Sequence, residues 1–299
     1  MIDRAEANFF GRDTWHVAQK PHPVRALVLG ANGKLGNMIC AVFGAQAAPR
    51  LELHPVSRDG SIGLGWSVGQ SPDLLPRVDA VVALWGVTPA HGAPLSDNSG
   101  LALAAMDLGR RLGADRVLHC SSAAIYGSSD RPLHEEDTPA PASAYGAAKA
   151  DMETVLRTPQ SGDGPVPVIL RIGNVAGAES LFAALGRDGP VTLDRFSDGH
   201  GPDRSYIAPG DLAKVLEVLC TLPRNRLHRV YNVAAPRVTA MADIVRAAGR
   251  DLHWRPAPDG ALRRVALDTA RLAEVCAMPD RSSDASWLVA DWQRWSGRG

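Results

Sequence analysis

The sequence has no surplus of charge of either sign. Its 299 residues contain 32 Lys and Arg against 32 Asp and Glu, so the formal net charge is zero with the histidines neutral. A nucleic-acid-binding domain usually shows a basic surplus or stripe, and none is present here. Long blocks of like charge, typical of interaction tails, are also missing. We therefore expect no nucleic-acid partner.

Cysteines are few, and long apolar runs are missing. Cys40, Cys120, Cys220 and Cys276 have no metal-ligand spacing, so we expect no metal site and reduced thiols. No apolar run reaches the roughly 18–20 residues that a membrane span needs. Residues 1–23 are polar and lack the apolar centre of a signal peptide. These features predict a cytoplasmic protein with no membrane partner and with an N-terminal arm at 1–23.

Short apolar segments alternate with helical segments along most of the chain. This alternation predicts an α/β fold, namely a Rossmann-type doubly wound parallel sheet with a small C-terminal substrate-binding lobe. The predicted strands lie at 25–30, 51–56, 78–84, 116–121, 166–171 and 230–234. The predicted regions are a dinucleotide-binding domain at 24–172 and 211–234, the lobe at 173–210 and 235–280, and a C-terminal helix at 281–299. Within the lobe, the Gly-, Pro- and Asp-rich stretch 187–202 is predicted to be a loop.

A glycine-rich turn follows the first predicted strand and precedes an apolar helix at 35–43. Gly30, Gly33 and Gly36 have the spacing G-x-x-G-x-x-G. In this context the three glycines permit a sharp turn, close approach of a pyrophosphate and close packing of the helix on the sheet. The helix N-terminus also offers free N–H groups to phosphates. Taken alone, the turn could equally be structural.

A second motif places a phenol and an ammonium group on one face of a predicted helix at 144–156. Tyr145 and Lys149 are four residues apart and therefore neighbours on the helix surface. A nearby ammonium and a positively charged nicotinamide would both lower the phenol pKa from about 10. Tyr145 could then serve as a general acid or base. Alone, the pair could also be a solvated lysine beside a half-buried tyrosine.

A predicted strand that ends in two serines precedes this motif. Ligands of open α/β sheets bind beyond the carboxyl ends of the strands, which is where Ser121 and Ser122 stand. Ser122 could therefore hold a reacting oxygen beside Tyr145. Turn serines are common in loops, but that explanation does not account for all three motifs in this order.

The three motifs in this order resemble those of the extended short-chain dehydrogenase/reductases, the NAD-dependent epimerase/dehydratase group. The resemblance extends from residue 25 to about residue 280. Its strongest parts are the glycine loop, the serine segment at 121–127 and the Tyr-x-x-x-Lys pair. Further matches lie at Asn98 and in the segments 78–84, 170–177 and 204–213.

The resemblance implies roles for individual residues. Tyr145 would be the acid/base, Ser122 would bind the carbonyl, Lys149 would bind ribose and tune Tyr145, and Asn98 would support a proton relay. The implied cofactor contacts are Gly30, Asn32, Gly33, Lys34, Leu35, Gly36, Ser57, Arg58, Leu84, Tyr145 and Lys149. The resemblance also implies a homodimer, in which the helices starting near Asn98 and Ala144 would pair.

Substrate contacts are implied for Ser122, Asn174 and Arg204. Structural alternatives remain open, because Asn98 could simply cap its helix and Arg204 could pair with Asp203 or Asp211 on the surface. A second arginine for a sugar-nucleotide diphosphate has no clear counterpart, although Arg255 and Arg263 are candidates.

Cofactor choice is expected to depend on the end of the second strand. An acid there would hold a ribose 2′-hydroxyl, whereas an arginine would accommodate a 2′-phosphate. Glu52 lies too early, and Ser57 and Arg58 occupy the relevant place, which favours NADP with NAD as the alternative. The alternative is that Arg58 has no cofactor role and is simply an exposed loop arginine beside Asp59.

The dehydratases of the family carry an Asp-Glu pair after the catalytic hydroxyl residue, where this sequence has Ala123 and Ala124. This difference argues against dehydration. The expected function is an NAD(P)-dependent oxidoreductase or epimerase that transfers hydride at a secondary alcohol or ketone of a sugar or sugar-nucleotide-like substrate. The alternatives are an NADPH-dependent ketone or aldehyde reductase acting on a non-sugar small molecule, and a non-catalytic NAD(P)-binding scaffold or redox sensor.

Overall fold

A computed structural model describes residues 23–46, 50–158 and 164–296. Apart from Pro23, the predicted N-terminal arm lies outside the described residues. The strands are β1 Val24–Leu29, β2 Leu51–Ser57, β3 Leu64–Gly65, β4 Ala80–Ala83, β5 Arg116–Ser122, β6 Val166–Ile172, β7 Asn174–Val175, β8 Val191–Arg195, β9 Asp203–Ile207, β10 Val230–Val233, β11 Val238–Ala240, β12 Leu252–Pro256 and β13 Arg264–Val265. The α-helices are α1 Lys34–Gly44, α2 Asp97–Leu112, α3 Ala144–Arg157, α4 Ser180–Leu185, α5 Pro209–Thr221, α6 Met241–Ala247, α7 Ala270–Ala273 and α8 Ala285–Ser296.

A seven-stranded parallel sheet forms the centre of the molecule. Its strand order is β10-β6-β5-β4-β1-β2-β3, with every pairing parallel. All six strands expected from the apolar segments belong to this sheet, and the predicted α/β Rossmann-type class is confirmed. Strand β3 escaped prediction because a two-residue strand carries no periodic pattern. Strand order reverses between β1 and β4, whose carboxyl ends flank the crevice where ligands of such sheets bind.

Helices cover both faces of the sheet. Along β1, Ala26 and Val28 pack towards α1 and α5, whereas Leu27 and Leu29 pack towards α2 and α3. Side chains of a strand alternate between faces, so burial on both faces produces a continuous apolar run rather than an alternating one. The central strands could therefore be predicted from the sequence.

The lobe contains two small sheets. Strands β11, β9 and β13 form one, with β7 pairing to β9, and β8 pairs with β12 in the other. The predicted loop at 187–202 therefore contains strand β8. Helix α7, assigned to the lobe from sequence, instead packs against β10, and its Leu272 is buried in the core of the main sheet.

The predicted C-terminal helix begins later than expected, because residues 280–283 form a 3-10 turn before α8. Leu288 is fully buried, and Trp292 meets Phe182 edge-on with ring centroids 5.0 Å apart. One face of α8 therefore docks the helix on the lobe, and residues 297–299 lie outside the described residues. Within the described ranges, no helix is long and apolar enough to cross a membrane.

Candidate active site

The turn between β1 and α1 brings backbone close to backbone. Gly30 has a φ of +83°, which favours glycine, and a Cβ there would lie 2.8 Å from the backbone of Trp85. A Cβ on Gly36 would overlap the carbonyl oxygen of Gly30. Side chains larger than hydrogen are therefore excluded at both positions. The two glycines keep the turn narrow and hold α1 tightly against the sheet.

The N-terminus of α1 is open to solvent. Gly33 occupies the cap position and has no side chain to cap the first N–H groups, and the first turn has no acidic residue. Asn32 and Lys34 are exposed and Leu35 is half-buried. Such a terminus, with its free donors and positive dipole end, suits a phosphate. The residues present therefore fit a dinucleotide pyrophosphate.

At the end of β2, the predicted cofactor residues differ in accessibility. Ser57 is buried, its Oγ accepts a hydrogen bond from the N–H of Ile62 at 3.1 Å, and its hydroxyl bonds to Asp59. Ser57 thus shapes the turn, and a direct cofactor contact by its side chain stays a prediction. Arg58 and Asp59 are both exposed. Hydrogen bonds from Ser61, above all, lower the pKa of Asp59 to about 2. This strand end therefore presents a cation suited to a 2′-phosphate and an anion suited to a 2′-hydroxyl.

Ser122, Tyr145 and Lys149 come together where β5 ends and α3 begins. Ser122 is the last residue of β5, and its side chain lies near enough to the Tyr145 phenol to lower the phenol pKa. Lys149 Nζ donates to the carbonyl oxygen of Cys120 at 2.8 Å and lies 5.8 Å from the centroid of the Tyr145 ring. A Cβ on Gly146 would overlap the carbonyl oxygen of Ala124, so this glycine lets α3 approach the serine turn. The structure thus assembles the predicted trio.

Burial governs the ionisation of these groups. It raises the pKa of Tyr145, to which the Cys120 thiol adds, while the hydrogen bond with Ser122 opposes the rise. Burial lowers the pKa of Lys149, whereas the charges of Cys120 and Glu153 raise it. The ammonium bonds to a strand carbonyl rather than to the phenol. Tuning of Tyr145 by Lys149 therefore stays a prediction.

Asn98 is buried and holds the loop that follows β4. Its Oδ1 accepts from the N–H of Val87 at 3.1 Å, and its Nδ2 donates to the carbonyl oxygens of Val87 at 3.0 Å and Leu95 at 2.8 Å. The cap position of α2 belongs to Ser96, so the helix-cap alternative for Asn98 is wrong. A Cβ on Gly86 would lie 3.0 Å from Asn98 Oδ1 and 3.2 Å from Lys149 Nζ, which places the loop against both.

A cavity of about 10 Å³ adjoins this loop, large enough for roughly one water molecule. Its lining includes Asn98, His119, Cys120 and Met152. Leu84, another predicted cofactor residue, is half-buried between β4 and this loop, and its N–H donates to Leu29. A water beside Asn98 and Lys149 would suit the expected relay, which stays a prediction.

Two of the predicted substrate residues, Asn174 and Arg204, lie in the lobe sheet. Asn174, at the start of β7, bonds through its side chain to the Tyr206 phenol. Arg204 Nη1 donates to the carbonyl oxygen of Asp203 at 2.8 Å, and Nη2 donates to that of Leu262 at 2.7 Å. The guanidinium is therefore engaged with backbone, and among the described residues it forms no ion pair with the carboxylate of Asp203 or Asp211, which was the structural alternative.

The other two candidate arginines are also engaged. Arg263 contacts Asp198 at 3.1 Å and Asp203 at 2.9 Å, and Arg255 contacts Asp194 at 2.7 Å. All three candidates for diphosphate recognition thus have acidic or carbonyl partners.

The sequence profile of the NAD dependent epimerase/dehydratase family matches residues 26–234. The chain belongs to this family. It is 30% identical to a UDP-glucose 4-epimerase of Azospirillum brasilense over 271 residues, which cover 74% of this chain and 76% of that protein. A UDP-glucose 4-epimerase of Corynebacterium glutamicum is 28% identical over 199 residues, 59% of each chain. The family expected from the motifs is confirmed.

Solved structures of family-like proteins share the fold. A UDP-glucose-4-epimerase from Stenotrophomonas maltophila with bound NAD and formylated UDP-arabinopyranose aligns with a TM-score of 0.72 at 19% identity, covering 91% of this chain and 98% of that one. MoeE5 in complex with UDP-glucose and NAD aligns with a TM-score of 0.71 at 20% identity, covering 90% and 98%. An NDP-hexosamine 5,6-dehydratase, TunA, aligns with a TM-score of 0.70 at 18% identity, covering 91% and 98%.

In this epimerase/dehydratase family member, sequence reasoning missed a buried polar cluster behind Ser122, Tyr145 and Lys149. Arg171, the largest fully buried side chain, bonds to Glu153 and to the Tyr126 phenol. Glu153 also accepts from Ser121. The position of Glu153 could have been predicted, because it follows Lys149 by four residues and so shares its helix face. Arg171 carried no such signal, since a charged residue in a predicted central strand has no periodic cue.

Proposed function

We propose that this protein is an NAD(P)-dependent epimerase or oxidoreductase that transfers hydride at a secondary alcohol or ketone carbon, with Tyr145 as the acid/base. The observation that carries the proposal is the placement of the Ser122 side chain beside the Tyr145 phenol at the carboxyl end of β5, with Lys149 bonded to the same strand at Cys120. These groups lie at the strand edge where ligands of such sheets bind.

The chain's own residues divide the work. The N–H groups at the start of α1 would hold the pyrophosphate, and Lys149 would hold the nicotinamide ribose. A bound nicotinamide supplies the carbon that accepts or donates hydride. Ser122 holds the substrate oxygen, while Tyr145 gives its phenolic proton to a forming alkoxide or takes the proton of an alcohol. An epimerase would use the same groups twice, oxidising and then reducing on the opposite face.

The substrate is proposed from two opposing observations. The curated relatives are UDP-glucose 4-epimerases, which favours a sugar or sugar-nucleotide-like substrate. Arg204 is engaged with backbone carbonyls, and the chain passes from Asn174 to helix α4 within six residues. Both features favour the second candidate, an NADPH-dependent ketone or aldehyde reductase acting on a smaller molecule. Retention of Ser122, Tyr145 and Lys149 speaks against a non-catalytic scaffold or redox sensor.

We also propose a homodimer, a preference for NADP and a cytoplasmic location. A homodimer would pair α2 and α3, and Leu103 on α2 is 43% exposed, as an interface residue would be in an isolated chain. NADP remains favoured by Arg58, with NAD as the alternative. The four unpaired cysteines agree with a cytoplasmic location.

The test begins with freshly purified protein. It is denatured, any released nicotinamide is identified by chromatography and mass, and protein without cofactor is titrated with NADH and NADPH. The protein is then incubated with UDP-glucose, UDP-galactose and a panel of ketones. Stoichiometric NAD with interconversion of the UDP-hexoses supports the epimerase. An empty protein that prefers NADPH and reduces ketones supports the reductase. No binding of either nicotinamide would overturn both.

A further inference from the structure

A buried ion pair joins β6 to α3 behind the catalytic trio. Arg171 and Glu153 are 0% and 2% exposed, respectively. Arg171 Nη2 donates to Glu153 Oε2 at 2.8 Å, and Nε lies 3.1 Å from each carboxylate oxygen. Burying two charges is costly even when they are paired, so such a pair is weak evidence for stability alone. The contacts of the pair instead indicate a role in fixing the positions of the neighbouring segments.

The pair holds the chain on both sides of Ser122. Before it, Ser121 Oγ donates to Glu153 Oε1 at 2.6 Å. After it, Arg171 Nη1 donates to the Tyr126 hydroxyl at 2.7 Å. The intervening 3-10 turn is closed by the Ser122 side chain, which accepts from the N–H of Ala124 at 3.1 Å. The strand end and the turn that carry Ser122 are thus both fastened to one ion pair.

The same pair supports Lys149 from the next turn of α3. Two parallel bonds link this helix to the end of β5, one from Lys149 to the carbonyl oxygen of Cys120 and one from Ser121 to Glu153. A displacement of Glu153 would therefore move the helix face that carries Tyr145 and Lys149.

The groups that surround the Lys149 ammonium come from three elements. Strand β5 contributes Cys120 and the neutral His119, α3 contributes Tyr145 and Glu153, and the loop after β4 brings Gly86 with the uncharged Asn98. Burial lowers the pKa of Lys149, and the charges of Cys120 and Glu153 raise it. Glu153 is therefore an acidic group that helps the ammonium remain charged.

We propose that Arg171 and Glu153 are positioning residues that hold Ser122 and the Tyr145–Lys149 helix face in register for catalysis. Neither touches the reacting atoms, and both act through Ser121, Tyr126 and Lys149. The catalytic part of this inference rests on the proposed function. The effect on the charge of Lys149 does not, because it can be measured without any substrate.

The first arm of the test is spectroscopic. The chain has four lysines, at positions 20, 34, 149 and 214, so ¹³C-labelled lysine side chains yield a spectrum simple enough to follow Lys149 through a pH titration. Glu153→Gln keeps the side-chain shape and removes the charge. We expect the Lys149 pKa to fall by about 0.5 or more, because an opposite charge within a few ångströms favours the charged form. Asp291→Asn makes the same chemical change at a buried carboxyl on α8 and is expected to leave the pKa of Lys149 unmoved.

The second arm is kinetic and uses whichever substrate the wild type turns over. Glu153→Gln is expected to lower kcat at least about tenfold while KM and the cofactor Kd stay within about twofold, the pattern of a lost transition-state interaction. The alkaline limb of the pH profile is expected to move to lower pH, since Lys149 loses its proton earlier. Asp291→Asn should keep the wild-type profile.

Several outcomes decide the matter. A Glu153→Gln variant with reduced thermal stability but wild-type kcat, pH profile and Lys149 titration would show a purely structural pair and overturn the proposal. If that variant does not fold, Ser121→Ala, which removes only one uncharged arm, decides it: a fall in kcat at constant KM supports positioning, and an unchanged kcat overturns it. If the wild type has no turnover, the proposed function fails, and the lysine titration still tests the pair.

Discussion

His119 offers a sharp test of the buried environment around Lys149. Its side chain is 1% exposed, and Nε2 lies 3.3 Å from Met106 Sδ. Burial, reinforced by the positive charge of Lys149, lowers the pKa of His119 from 6.5 to about 3. The native protein therefore keeps this imidazole neutral at a pH where the unfolded chain protonates it. Below pH 6.5, proton uptake favours the unfolded chain, and stability falls with falling pH until the native pKa is reached.

The magnitude follows from linkage. Each tenfold difference in proton affinity is worth about 1.4 kcal/mol, so the displaced pKa corresponds to about 5 kcal/mol once the pH is well below 3. Between pH 7 and pH 5 the loss amounts to about 2 kcal/mol. The substitution His119→Gln removes the titration while keeping a polar side chain.

The assay is urea unfolding of wild type and His119→Gln at pH 7, 6 and 5. Other acid-sensitive carboxylates are common to both proteins and cancel in the comparison. We expect the wild type to lose about 2 kcal/mol more than the variant across this range. Parallel pH dependences of the two proteins would refute the reasoning. Lys149→Met should raise the pKa of His119, because it removes the second cause of the depressed pKa.

Two further predictions concern the cofactor site. Gly36→Ala would place a Cβ on the carbonyl oxygen of Gly30, so we expect reduced thermal stability and at least about tenfold weaker nicotinamide binding by titration. Gly44→Ala, at the solvent-exposed end of the same helix with no atom near its Cβ, is the matched control, and equal behaviour of the two variants would contradict the prediction. Arg58→Ala is expected to weaken NADPH binding about tenfold or more and to leave NADH binding within about twofold, since the arginine would contact only the 2′-phosphate. Equal losses for both nucleotides would contradict that assignment.

The sequence contained enough information to identify the main sheet and to predict that Ser122, Tyr145 and Lys149 lie together. Central strands such as β1 and β4 are buried on both faces, so they stand out as apolar runs. Tyr145 and Lys149 share a helix face, and Ser122 ends a strand, so their meeting followed from spacing and topology alone. Both signals are local in the chain.

What sequence reasoning missed depends on contacts between distant segments. Substrate contact by Arg204 stays a prediction, but the bonds of its guanidinium to carbonyls about 60 residues away, at Leu262 and Arg263, had no signal in the sequence. Arg171 is buried because Glu153 and Tyr126 arrive from other elements. Strand β8 lay hidden in a Gly- and Pro-rich stretch because its pairing with β12 is tertiary. Contacts between such distant segments are set by the fold and produce no periodic pattern in the sequence.

The central claim is that Tyr145 moves the proton while hydride is transferred. Tyr145→Phe removes one oxygen atom and leaves the ring that packs near Lys149. Its most direct test is the single-turnover rate of hydride transfer, measured beside the nicotinamide Kd, with the substrate that the wild type converts. We predict a rate about 100- to 10,000-fold lower than that of the wild type with a Kd within about twofold. A variant that transfers hydride at the wild-type rate would contradict the account.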